Sequence, residues 1–83
     1  MQVSIKVTGW YRRYTSGVTE LDVQIKEGEP IGAILCRIGI PEDEIGFITS
    51  DQSFSGGRFQ VVEKSHILVD GEHIKVFPLI LGG

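Results

Sequence analysis

The sequence is poor in cysteine, in clustered basic charge and in long apolar runs. Its 83 residues contain one cysteine, Cys36, so no disulfide can form within the chain. Small secreted domains usually depend on disulfides, so we expect a protein of a reducing compartment, the cytoplasm. A chain of this length has room for one hydrophobic core, and we therefore look for one function.

The charge balance excludes two classes of partner. Eight basic and eleven acidic residues give a formal net charge of -3, and such a chain lacks the positive field that attracts nucleic acid or anionic lipid. The longest mainly apolar run, Val76–Leu81, is far shorter than the roughly 20 residues that cross a bilayer. We expect neither nucleic acid nor a membrane as a partner.

Two segments in the first third of the chain alternate apolar and polar side chains. Their apolar members are Val3, Ile5 and Val7 in the first segment and Leu21, Val23 and Ile25 in the second. A period of two residues is typical of a strand with one buried face. The pattern predicts strands over residues 2–8 and 20–26, paired antiparallel.

The period changes after Pro30. Ile31, Ile34, Leu35 and Ile38 recur at i, i+3, i+4 and i+7, which is one apolar stripe of an α-helix. Gly39 favours a helix end, and Pro41 cannot continue the helix. We predict a helix of about ten residues.

The second half of the chain is predicted to consist of strands and turns. A third strand is predicted at residues 45–48 and ends at residues 50–53, a loop is predicted around Ser55-Gly56-Gly57, and a short edge strand spans residues 59–62. Asp70-Gly71 predicts a tight turn between Ile67-Leu68-Val69 and a last strand that ends near Phe77. The order predicts an α+β fold: a β-grasp domain over residues 1–77, with a mixed sheet of four to five strands and one main helix packed on one face, and then a flexible tail over residues 78–83.

The residues that could carry catalysis or bind a metal match no motif. Cys36 falls outside the apolar stripe of the helix, so we expect an exposed thiol. His66 and His73 fit no zinc spacing and are expected to be solvated at strand ends. Asp70 and Glu72 flank a turn glycine, where aspartate favours local hydrogen bonds and glutamate favours solubility. We expect no bound metal and no catalytic centre.

Two further segments could make contacts. Trp10, Tyr11 and Tyr14 interleave with Arg12-Arg13, which in an acidic chain indicates the edge of the core or a protein contact. The tail runs from Phe77-Pro78 through three aliphatic residues to Gly82-Gly83. Two glycines leave no Cβ beside the terminal carboxylate, and six extended residues reach roughly 20 Å at about 3.3 Å each. The tail could therefore carry the carboxylate into another protein's active site.

The segment from Leu68 to Gly83 resembles the ending of the MoaD/ThiS ubiquitin-like sulfur carriers, in which a leucine, a glycine-acid turn, an aliphatic strand and a proline precede a terminal Gly-Gly. Residues 7–14 are similar to the first strand and arginine segment of that family, and Gly39-Ile40-Pro41 resembles its helix end. The resemblance covers essentially the whole chain and implies a ubiquitin-like β-grasp fold. Leu79 departs from the second proline that is usual in MoaD-like members.

The resemblance implies a protein substrate rather than an enzyme. An E1-like adenylating enzyme, using ATP and magnesium, would activate the Gly83 carboxylate, and sulfur would replace AMP to form a thiocarboxylate. A sulfur-accepting synthase subunit in molybdopterin or tungstopterin synthesis would then receive the sulfur, and the chain could serve as that synthase's small subunit. The residues implied to bind partners are Phe77, Pro78, Leu79, Ile80, Leu81 and Gly82.

Three alternatives stay open at this stage. The chain could be a ThiS-type carrier for thiazole synthesis, or a ubiquitin-like modifier joined to target lysines through Gly83. It could also be a plain interaction module, in which case removal of Gly82 and Gly83 would leave partner binding intact.

Overall fold

The computed structural model describes residues 1–51 and 59–79. Five strands form one sheet: Gln2–Val7 (β1), Glu20–Gln24 (β2), Ile45–Asp51 (β3), Phe59–Val62 (β4) and His73–Pro78 (β5). The α-helix Ile31–Ile38 (α1) and two short 3₁₀ helices, Gly9–Arg13 and Glu42–Glu44, are the helical segments of the described ranges. None of these helices has the length and apolar character that crossing a lipid bilayer requires.

The sheet has the strand order β2-β1-β5-β3-β4. β1 pairs antiparallel with β2 and parallel with β5, while β3 pairs antiparallel with both β4 and β5. The predicted mixed sheet with one main helix is confirmed, and so is the antiparallel pairing of the first two strands. The last strand lies at the centre of the sheet, between the first and the third.

The core lies between the helix and one face of the sheet. The strands contribute the alternate residues Val3, Ile5, Val7, Ile48, Ile74 and Val76, and α1 contributes Ile31, Ile34 and Leu35; all are buried. Each such side chain contributes about 1.5–3 kcal/mol by leaving water. Apolar residues recur every 2 residues along the strands and about every 3.6 residues along the helix, and both sets of side chains lie in one apolar layer.

The ends of α1 are satisfied in two different ways. At the N-terminus no side chain caps the helix; instead the amides of Ile31 and Gly32 donate to the carbonyls of His66 and Lys64, both at 2.9 Å. At the C-terminus Gly39 takes a left-handed conformation, with φ 107°, and the Ile40 amide donates to the Leu35 carbonyl at 3.0 Å. The predicted glycine cap is confirmed and forms a Schellman motif.

The predicted hairpin before the last strand is wrong in part. The Asp70-Gly71 turn is present, but Ile67 makes only an isolated bridge, to Pro30, and no strand precedes the turn in residues 64–69. Residues 64–68 instead cross the start of α1, because their carbonyls supply the acceptors that its free amides need. β3 also continues through Ser50 to Asp51, beyond the predicted end. The predicted loop at Ser55-Gly56-Gly57 lies outside the described residues.

Candidate functional site

The root of the C-terminal tail is the end of β5. Pro78, assigned to the tail from the sequence, is the last residue of this strand and pairs with Ile45, while Phe77 pairs with Phe47. The register shifts between these two pairs, because Gly46 is an extra residue on β3. Such a β-bulge bends a strand and can end its pairing. Leu79, the next residue, is 56% exposed.

Two aromatic side chains lie on the face of the sheet opposite α1, beside the tail root. The rings of Phe47 and Phe77 stack with centroids 4.5 Å apart and planes at 13°. Phe47 is 47% exposed, and Val61 on the neighbouring strand is also exposed. We call Phe47, Phe77, Val61 and Leu79 the apolar patch. Exposed apolar side chains that cluster in this way are typical of protein-binding surfaces.

Two lysines border the apolar patch. Lys6 on β1 and Lys75 on β5 are direct neighbours in the parallel pairing, and together with Thr8 and Phe77 they line a shallow depression of about 250 Å³. Lys6 lies 3.6 Å from Glu20, whereas Lys75 has no carboxylate within 4 Å among residues 1–51 and 59–79. The patch therefore has a positive border on its β1 side.

The 3₁₀ helix Gly9–Arg13 lies at the same end of the sheet as the tail root, because β1 and β5 run parallel and end together. Trp10 is 54% exposed, and its indole N–H donates to Glu44 Oε2 at 3.2 Å. The Arg13 guanidinium lies 5.2 Å from the centroid of the Trp10 ring, a cation–π contact. The sequence indicated a core edge or a protein contact for this segment, and Trp10 and Arg13 are on the surface.

Tyr11 of the same helix is buried. Its hydroxyl donates to the Glu44 carbonyl at 2.9 Å. Burial, together with the negative charge of Glu44, raises the pKa of Tyr11 to about 12, and a hydrogen bond from the Gly46 backbone acts in the opposite direction. Tyr11 thus connects the end of β1 with the start of β3, immediately beneath the bulge.

Phe77, Pro78 and Leu79, three of the residues that the sequence predicts to bind partners, form the tail root, and their binding of a partner stays a prediction. Ile80, Leu81, Gly82 and Gly83, the remaining predicted site residues, lie outside the described residues. Sequence reasoning missed Phe47 and Gly46. The odd spacing of Ile45, Phe47 and Ile48 was the available signal, since it does not fit a regular strand with a single buried face.

A second group of polar side chains lies at the opposite end of the sheet. Glu72, expected to be solvated in a turn, is only 1% exposed. Its carboxylate accepts hydrogen bonds from the Val69 amide at 2.9 Å and from the Ser50 hydroxyl, and Oε2 lies 2.5 Å from Nε2 of His66. The expectation of a solvated Glu72 is wrong, and so is that of a free His66. The carboxylate is buried because one backbone amide and two side chains satisfy it.

The other candidates for chemistry remain apart. Cys36 is exposed on α1, as predicted, and His73 is exposed on β5. Within the two described ranges, no three histidine, cysteine, aspartate or glutamate side chains come together as a metal site. The tail root and the apolar patch, which contain three of the predicted partner-binding residues, form the candidate functional site.

Comparisons with known proteins extend the description of the fold. No protein-family model matches the sequence, and a search of curated proteins finds no match. Solved structures do match. A chain from Pyrococcus furiosus, provisionally assigned as molybdopterin converting factor subunit 1, has 22% identity and a TM-score of 0.65, covering 96% of this chain and 99% of its own.

Two further structures are similar. SAMP1 from Haloferax volcanii has a TM-score of 0.66 at 15% identity over the full length of both chains. The C-terminal ubiquitin-like domain of mouse tubulin-specific chaperone e has a TM-score of 0.64 at 16% identity, covering all of this chain and 90% of that one. The chain therefore has a ubiquitin-like β-grasp fold.

Proposed function

We propose that the protein is a sulfur carrier. An E1-like enzyme adenylates the Gly83 carboxylate, using ATP and magnesium, and the adenylate is converted to a thiocarboxylate. This group then donates sulfur in molybdopterin or tungstopterin synthesis, to a synthase subunit that binds the tail. The protein acts in the cytoplasm as a co-substrate, and as a candidate small subunit of the synthase, rather than as an enzyme itself.

One observation carries the proposal. The central strand β5 ends at Pro78 beside the stacked rings of the half-buried Phe77 and the exposed Phe47, and the sequence continues from there to Gly82-Gly83. In this ubiquitin-like domain the segment that leads to the two glycines thus starts next to a surface suited to a partner. The likeness to the chain from Pyrococcus furiosus, over nearly the full length of both chains, supports the same proposal.

The chemistry requires activation before sulfur can enter. An ionised carboxylate is a poor acyl donor because its leaving group would be an oxide, whereas AMP leaves readily from an acyl adenylate. The carboxylate oxygen attacks the α-phosphorus of ATP and pyrophosphate departs. Hydrosulfide from the sulfur donor then attacks the acyl carbon, AMP departs with one of the two carboxylate oxygens, and loss of a proton leaves the thiocarboxylate.

The apolar patch gives the partner a second point of contact. Phe77 and Phe47 form one stacked unit, so a partner that covers it buries two aromatic rings without having to order them first. Lys6 and Lys75 border the unit, and we expect carboxylates at the matching rim of the partner. Ile80, Leu81 and Gly82 would enter the partner's channel ahead of Gly83.

The first experiment is the intact mass of the purified chain after incubation with ATP, magnesium, a candidate adenylating enzyme and a sulfur donor. We expect a gain equal to the difference between sulfur and oxygen, located in the peptide that contains Gly83. Deletion of Gly82 and Gly83 should abolish the gain. If the wild-type chain gains nothing with an enzyme shown to be active on its own substrate, the proposal fails.

The exposed thiol of Cys36 provides a necessary control. A persulfide on this cysteine would add a whole sulfur atom, rather than exchange oxygen for sulfur, so intact mass separates the two products. The Cys36→Ser variant should still show the exchange at Gly83. Loss of all sulfur uptake in that variant would place the sulfur on the thiol and contradict the proposal.

The same reaction mixtures decide between the alternatives. A ubiquitin-like modifier would form adducts of higher mass with target lysines through Gly83, in place of a free thiocarboxylate. A ThiS-type carrier would form the same thiocarboxylate but deliver sulfur to thiazole synthesis. The similarity to a domain of a tubulin-specific chaperone means that the fold also serves in a larger protein, so the fate of Gly83 is the measurement that discriminates.

A further inference from the structure

We infer that Gly46 is a positioning residue, which sets the direction in which the C-terminal tail leaves the sheet. The consequence for activity rests on the proposed function, in which Gly83 must enter the active site of another protein. That Gly46 sets the direction of the tail is argued from the strand pairing and from the space around Gly46, and it can be tested without any partner.

The pairing of β3 with β5 places the irregularity at the tail root. From Phe47 to Ile45 the pairing advances two residues on β3, while from Phe77 to Pro78 it advances one residue on β5. Gly46 is the extra residue. A bulge bends a strand and increases its local twist, and here it occurs at the last paired residue before the tail.

The space around Gly46 excludes any side chain. A Cβ built on this residue would lie 2.5 Å from the carbonyl oxygen of Pro78, 2.6 Å from its carbonyl carbon and 2.7 Å from the nitrogen of Leu79. All three are backbone atoms, so no side-chain rotation can relieve the contact. The backbone of the tail root therefore keeps its path only because residue 46 has no Cβ.

Contacts on both faces of the sheet hold β3 in place at the bulge. On the outer face, the Phe77 ring stacks on Phe47. On the core side, the buried Tyr11 hydroxyl donates to the Glu44 carbonyl at 2.9 Å, directly before β3. With the aromatic pair and Tyr11 fixing β3 on either side of the bulge, an added methyl group would have to displace Pro78 and Leu79.

Direction matters because the proposed partner must bind two parts of the protein at once. The apolar patch and the tail are joined through Pro78, which restricts the backbone at the junction. Two linked contacts lose their combined affinity when the partner cannot bind both at the same time. A rotation of about 10° at the root moves the tip of an extended tail of about 20 Å by roughly 3.5 Å. A misplacement of about 1 Å can lower a rate by about 100-fold.

The geometric test compares Gly46→Ala with Gly9→Ala by NMR of the full chain. Gly9 is the matched control, because a Cβ there would meet only Arg12 Nε, at 3.9 Å. The residual dipolar coupling of the Leu79 amide reports the direction of its N–H bond. We expect it to change in Gly46→Ala, with couplings in β1 and α1 preserved, and to stay unchanged in Gly9→Ala. An unchanged Leu79 coupling in Gly46→Ala would overturn the inference.

If Gly46→Ala does not fold, a measurement on the wild-type chain tests the inference instead. We expect the Leu79 amide to have an order parameter close to that of the strands, about 0.85, because the bulge fixes the tail root. A Leu79 amide as mobile as free coil, below about 0.6, would overturn the inference with no variant at all.

The functional test measures pyrophosphate release during adenylation by the activating enzyme. We expect kcat/KM for Gly46→Ala to fall about 10-fold or more, while Gly9→Ala and the core variant Ile34→Val, which is destabilised far from the tail, keep the wild-type value. A fall of equal size in Ile34→Val would assign the effect to stability and contradict positioning. If the wild-type chain is not adenylated, the proposed function fails, and the Leu79 measurements still decide the role of Gly46.

Discussion

At the scale of single residues, Tyr11 shows how a polar group serves the tail root from inside the core. Burial and the nearby Glu44 charge favour the neutral hydroxyl, so the pKa of Tyr11 rises from 10.0 to about 12. The hydroxyl donates to the Glu44 carbonyl, and a net hydrogen bond of this kind contributes about 1 kcal/mol. Tyr11→Phe should therefore lower the free energy of unfolding by about 1 kcal/mol at neutral pH.

The raised pKa of Tyr11 also predicts a pH dependence. Below about pH 10 Tyr11 is protonated in both the folded and the unfolded chain. Between about pH 10 and 12 it ionises in the unfolded chain but stays protonated in the folded one. The free energy of unfolding therefore falls as pH rises, by up to about 1.4 kcal/mol per pH unit. Tyr11→Phe lacks this loss. Denaturant unfolding of both chains should therefore show that the wild-type advantage in unfolding free energy shrinks above about pH 10 and reverses at about pH 11, and a constant difference would contradict the assignment.

Glu72 is the second residue whose environment the sequence did not reveal. His66 is one of its three partners, so His66→Ala should leave a buried carboxylate less satisfied and lower the free energy of unfolding by about 1–3 kcal/mol. His73→Ala, at an exposed position on β5, is the matched control and should change it by about 0.5 kcal/mol or less. Equal effects in the two variants, measured by chemical denaturation, would contradict this role for the pair.

At the scale of elements, α1 ends at Gly39 because this residue adopts a left-handed backbone conformation, and not because a side chain would lack space there. Gly39 has φ 107°, but a Cβ there would meet only the Tyr14 carbonyl oxygen, at 3.8 Å. Gly39→Ala should therefore cost about 1 kcal/mol through backbone strain alone, and Gly39→Asn should cost less, because asparagine tolerates this conformation. Thermal unfolding of the two variants checks the order, and an alanine variant as stable as wild type would contradict the cap.

Elements were predictable where local pattern and tertiary environment agree. The alternation around Ile5, the stripe that includes Ile34 and the cap at Gly39 are each dictated by a period or a turn chemistry within a few residues. The run Ile67-Leu68-Val69 before the Asp70-Gly71 turn indicated a strand of a hairpin. The segment instead satisfies the free amides at the start of α1, a requirement that lies more than 30 residues earlier in the chain.

At the scale of the whole molecule, the β-grasp fold was accessible from the order of elements and from the family resemblance, while the site was accessible only in part. Phe77 and Pro78 were predicted from the tail pattern. Phe47 and Gly46 were not, because their importance depends on the parallel pairing of β1 with β5, which brings β5 and the tail root alongside β3. Glu72 was missed for the same reason, since its partner Ser50 belongs to β3.

The central claim about the whole molecule is that a ubiquitin-like domain presents a C-terminal glycine for activation. The measurement that tests it most directly is the intact mass of the chain isolated from its own source, together with fragmentation of the peptide that contains residue 83. We expect part of the population to carry sulfur in place of one oxygen at the Gly83 carboxylate. If the isolated chain is found only with an unmodified carboxylate, and gains no sulfur when given ATP, magnesium and its adenylating enzyme with a sulfur donor, the claim is contradicted.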